Sequence, residues 1–90
     1  MTNNLAPIVV FSYDRPDHLR RTLDALAKND LADQSVLYIY CDGAKDTASD
    51  EQRQRIVENR KVAHSATGFK ELHVMERPKN IGLKDIVLVI

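Results

Sequence analysis

"VLYIYCDGAKD", residues 36–46, runs from apolar and aromatic residues straight into a cysteine, an acid and a glycine. The run from Val36 to Cys41 has the β-branched and aromatic content of a strand. It stops at Asp42, and Gly43, the residue with the fewest backbone restrictions, follows at once. In open α/β sheets ligands sit beyond the carboxyl ends of the strands, so an acid and a glycine here suit the floor of a site. Asp-Gly is also a common turn pair. Both readings stand at this point.

Upstream, "PIVVFSY" (residues 7–13) is a second strand. Its apolar residues are consecutive rather than alternating, which suits a strand covered on both faces. "DRPDHLRRTLDALAKND" follows, and Pro16 fits the first position of a helix. Pro16 also pushes Arg15 out of the helical region, which makes Arg15 the hinge between strand and helix. Leu19, Leu23 and Leu26 recur at helical spacing on one face.

Downstream, "SDEQRQRIVENRKVAH" restarts a helix. Ser49 and Gln52 match a capping box, and Asp50 and Glu51 favour the positive end of the helix dipole. Its apolar stripe is thin, Ile56, Val57 and Ala63, which predicts a surface helix that packs weakly. "FKELHVMERP" predicts a third strand, with Leu72 and Val74 alternating against His73 and Met75. "DIVLVI" predicts a fourth. Strands alternating with helices mean crossover connections. The expectation is one domain over residues 1–90, a Rossmann-like three-layer αβα unit. It has a mainly parallel sheet of about four strands and two main helices.

Bulk properties narrow the function. The chain has 90 residues, 43% hydrophobic and 29% charged, which excludes collagen-like and disordered classes. Thirteen basic residues balance 13 acidic ones, so no global field gathers nucleic acid or anionic lipid. Cys41 is the only cysteine, so disulfides are absent and a reducing compartment fits. His18, His64 and His73 lack ligand-like spacing, and a zinc site is not expected. The start shows no signal-peptide pattern, and no stretch approaches the roughly 20 apolar residues of a membrane span. The expected setting is cytoplasmic. The terminal "IVLVI" is β-prone and uncharged; it is expected to complete the sheet or to drive homodimerisation.

Polar chemistry gathers at the strand ends. Ionised Asp42 accepts hydrogen bonds only, from an imide N–H or a sugar hydroxyl. Arg15 offers a planar fork for phosphate oxygens and stands at a helix N-terminus, which itself favours anions. An acceptor for a base and a cation for phosphate, on neighbouring strands, describe a nucleotide site. Neither a G-x-G-x-x-G nor a P-loop motif is present, so no glycine-rich cradle holds the phosphates.

"IVVFSYDRPDHLRRTLDAL", "YIYCDGAKD" and "ERPKNIGL", in that order, resemble the N-terminal half of GT-A glycosyltransferases. The likeness is to the family-2 and N-acetylglucosaminyltransferase I-like nucleotide-sugar transferases, and it covers nearly the whole chain. The resemblance implies a UDP-type sugar nucleotide as ligand. It implies that Phe11, Tyr13 and Arg15 lie along the nucleotide and that Asp42 accepts from the base N–H. Lys79 and Asn80 would sit near ribose or phosphate. The family transfers a glycosyl group to an acceptor hydroxyl, with Mn or Mg neutralising the leaving diphosphate.

The chain departs from that family in lacking any Asp-x-Asp motif, so metal ligands and catalytic residues are expected outside it. "DIVLVI" resembles the strand that leads to that motif. The expectation is a nucleotide-sugar-binding half-domain, cut short and inactive alone. The alternative from another class is a non-catalytic α/β module acting through self-association or a partner.

Overall fold

The computed structural model describes residues 7–77, 80 and 86–89. The elements are strand β1 (Ile8–Ser12), helix α1 (Pro16–Ala27), strand β2 (Val36–Cys41), helix α2 (Asp50–His64), strand β3 (Glu71–Glu76) and strand β4 (Ile86–Val89). A short 3-10 turn, Ala32–Gln34, returns the chain from α1 to the sheet. The sheet order is β3-β2-β1-β4. β1 runs parallel to β2, and β2 parallel to β3. β4 joins the other side of β1 antiparallel, with Phe11 opposite Ile86. Ile86–Val89, the described part of the "IVLVI" segment, thus adds a strand to the chain's own sheet.

Both crossovers, β1 to β2 and β2 to β3, step the same way across the sheet. Right-handed connections then lay both helices on one face. The core confirms this: Ile8 and Val10 of β1 and Leu37, Ile39 and Cys41 of β2 form one cluster with Leu19 and Leu23 of α1 and Val62 and Ala63 of α2. Alternate residues point to opposite faces of a strand, so these strand residues all share the helix-covered face. Leu72 and Val74 of β3 pack onto the same cluster. The other face carries Phe11, Tyr38, Tyr40, His73 and Met75, and no described helix covers it. Among the described residues the unit therefore has two layers, where three were expected.

Local sequence sets each helix start. Pro16 opens α1 at its first turn, and no side chain caps that helix. At α2, Ser49 Oγ accepts the Gln52 N–H at 3.1 Å. α2 buries Ile56, Asn59, Val62 and Ala63 and packs against α1, so it is a core helix and not a weakly attached one. Val57, read as part of the apolar stripe, is 46% exposed. No described helix is long and apolar enough to cross a membrane.

Candidate functional site

The carboxyl ends of β1 and β2 lie side by side, with Ser12 opposite Cys41. The Asp42 N–H extends the ladder by donating to the Ser12 carbonyl at 2.9 Å. Beyond this point β1 opens into Tyr13-Asp14-Arg15, and β2 into Gly43.

Asp42 is fully buried, and its Oδ1 accepts the Gly43 N–H at 2.9 Å. The carboxylate thus serves the turn. A ligand would reach it in this conformation only after the loop moves. Asn80 comes back onto the same loop, donating from Nδ2 to the Gly43 carbonyl at 3.0 Å. The segment after β3 is thereby tied to the segment after β2, 37 residues away.

Arg15 sits elsewhere, on the rim of a cleft of about 610 Å³ lined also by Asp14, Pro16, Asp17, His18, Arg21 and Arg55. The first turn of α1 forms one wall and Arg55 of α2 another. Asp14, in the loop between β1 and α1, is held by α2: Gln52 Nε2 donates to its Oδ2 at 3.1 Å, and Arg55 Nη2 lies 3.7 Å from the same oxygen. The cleft therefore holds three guanidinium groups and an imidazole against two carboxylates. One of those carboxylates, Asp17, is engaged by Arg20 outside the cleft lining at 3.0 Å.

The remaining expected residues divide. Phe11 lies on the open face of the sheet, stacked on Tyr40 with ring centroids 5.3 Å apart. Arg77 lies over the same Tyr40 ring at 5.8 Å. Tyr13 is half-buried in the loop between β1 and the cleft. Lys79 lies outside the described residues. The structure thus joins Asn80 to the Asp42-Gly43 loop, while Arg15 is grouped with Arg21 and Arg55 in a cleft whose lining does not include Asp42.

Sequence reasoning missed Arg21, Arg55 and Asn59. Both arginines are exposed helix residues with no motif to mark them, and only the packing of α1 against α2 brings them together. Asn59 had a legible signal: it falls three residues from both Ile56 and Val62, on the buried stripe. Its side chain is fully buried, and its Oδ1 accepts the Ser12 hydroxyl at 3.0 Å. Asn59 Nδ2 has no hydrogen-bond partner among the described residues.

Cys41 is buried beside this pair, and burial pushes its thiol up to about 11; the Arg60 cation works against that rise, and Glu76 adds to it. Such a thiol is inert rather than nucleophilic. No three metal-ligating side chains come together among the described residues.

Comparison with models of known protein families, with curated proteins and with solved structures found no match to this chain.

Proposed function

We propose that this chain is the sugar-nucleotide-binding unit of a GT-A-type glycosyltransferase, and that it takes the diphosphate of a UDP-type sugar in the Arg15 cleft. The observation that carries the reading is the convergence of Arg15, Arg21 and Arg55 on one cleft at the N-terminus of α1. Planar guanidinium forks match phosphate oxygens two at a time, and the helix end adds its own positive field. The neighbouring loop supports it: Asp42-Gly43 and Asn80, two pieces of the family-like pattern, are joined by a hydrogen bond. The binding unit holds and orients the donor. Ion assistance to the leaving group and deprotonation of the acceptor belong to residues outside those described.

Calorimetric titration with UDP tests this directly. The wild-type chain should bind UDP, and bind uridine much more weakly, because the diphosphate provides most of the contact. Arg15→Ala and Arg55→Ala should each weaken UDP about tenfold or more, for loss of a charged hydrogen bond worth roughly 1.5–3 kcal/mol. No UDP binding at millimolar concentration, or equal binding by both variants, would remove this reading. The non-catalytic association module would then be preferred.

A further inference from the structure

β3 ends the sheet order, and among the described residues no strand pairs with its outer side. Which of its backbone groups face outward follows from two hydrogen bonds. Asp42 N–H donates to Ser12, so even-numbered residues of β2 turn toward β1 and Cys41 turns toward β3. Arg77 N–H donates to the Cys41 carbonyl at 2.9 Å, so odd-numbered residues of β3 turn inward. Backbone groups alternate in direction along a strand. The N–H and C=O of Leu72, Val74 and Glu76 therefore point away from the sheet.

Natural edge strands are usually blunted by proline, lysine, a bulge or brevity. β3 has six residues, Glu71–Glu76, with no proline and no lysine among them. Its charges have a pattern instead. Glu71 and Arg77 are both exposed and lie on the open face of the sheet, three residues before and three after Val74. Among the described residues neither is paired with an opposite charge; the Arg77 guanidinium rests over the Tyr40 ring at 5.8 Å and would turn outward to meet a partner. An antiparallel copy of the same strand, centred on Val74, sets each Glu71 opposite the other copy's Arg77. The strand is thus complementary in charge to itself in one register, and in that register every outward N–H meets an outward C=O.

We infer that β3 is a self-pairing edge, through which two copies of this chain join antiparallel about Val74 into one continuous sheet. The two-fold axis passes beside Val74, whose N–H and C=O bond those of its counterpart. Leu72 bonds Glu76 of the other copy on either side. The occupant of the edge is a second copy because the charge order of β3 is reversed when read antiparallel, and a two-fold interface requires that.

The test is the mass of the intact chain by sedimentation or light scattering across micromolar to millimolar concentration, with hydrogen exchange read at the Val74 amide. The expected result is a concentration-dependent dimer, with Val74 protection rising as the dimer fills. Glu71→Arg and Arg77→Glu each place like charges opposite one another and should raise the dimer dissociation constant about tenfold. Both sites are exposed, so the fold is kept. The double variant Glu71→Arg/Arg77→Glu restores opposite pairs and should recover the wild-type constant. A monomer at all concentrations overturns the inference. So does a dimer indifferent to both reversals with unprotected Val74, which would place the contact at β4 or on the open sheet face.

Discussion

Ser12 Oγ donates to Asn59 Oδ1 across 3.0 Å, deep in the seam between β1 and α2. The bond joins the strand that opens into the arginine cleft to the helix that carries Arg55. Both side chains are buried, so neither has water to fall back on. Ser12→Ala alone, or Asn59→Leu alone, strands one buried polar group and should cost about 1–3 kcal/mol. The double change leaves neither stranded and should recover much of that loss. Urea denaturation of the four proteins measures it. Additive losses in the double variant would show that the bond does not couple the two sites.

Asp42 offers a separation of roles. If its carboxylate holds the Gly43 turn, Asp42→Asn keeps an oxygen for the Gly43 N–H and should cost less stability than Asp42→Ala. Asp42→Ala removes the acceptor inside a buried loop and should cost about 1–3 kcal/mol. A loss of UDP affinity in Asp42→Asn at unchanged melting temperature would instead assign the carboxylate to the ligand.

Arg15 stands at the N-cap of α1 without capping it. Serine is among the best residues at that position. Arg15→Ser should therefore add a side-chain cap worth about 0.5–1 kcal/mol, set against whatever contact the arginine makes, and at the same time weaken UDP. Opposite signs in thermal melting and in calorimetric titration are the expected outcome. A variant that loses stability would mean that the arginine anchors the loop structurally.

Cys41 predicts an alkaline weakness. Its folded thiol is pushed up to about 11, while an unfolded thiol ionises near ~8.5. The contribution is fully present below the unfolded value and is lost as pH rises toward the folded one. Denaturation midpoints should fall between pH ~8 and ~10.5, and Cys41→Ala should flatten that fall relative to wild type, whatever its absolute stability. Thiol reagents should label the wild-type chain only as fast as it opens.

The strands and helices were legible because their signals are local. Pro16 marks one helix start, Ser49 and Gln52 the other, and the run Val36–Cys41 is a strand on composition alone. The depth of α2 was not legible: its buried stripe includes Asn59, and a polar residue there makes the apolar pattern look thin. That both described helices lie on one face of the sheet was hidden for a different reason. "IVVF" reads as a strand covered twice, and Ile8, Val9 and Val10 are all buried, so both faces of β1 are covered there; that both helices share one face follows from the direction in which successive crossovers step, which residue patterns do not carry. At the site, the position of Arg15 after β1 followed from Pro16. Its grouping with Arg21 and Arg55 depends on how α1 meets α2. The buried Asp42 turn was one of two readings the Asp-Gly pair left open.

A sheet clad by helices on one side has a calorimetric consequence. Among the described residues, melting newly wets chiefly the apolar lining of the helix-covered interlayer, while the aromatic side chains Phe11, Tyr40, Tyr38 and His73 of the other face are already partly hydrated beforehand. The heat-capacity increment on unfolding should lie below the roughly 12–15 cal/mol/K per residue of ordinary globular chains. Scanning calorimetry would register this as a flatter stability curve, with melting and cold inactivation spaced unusually far apart for so small a transition enthalpy.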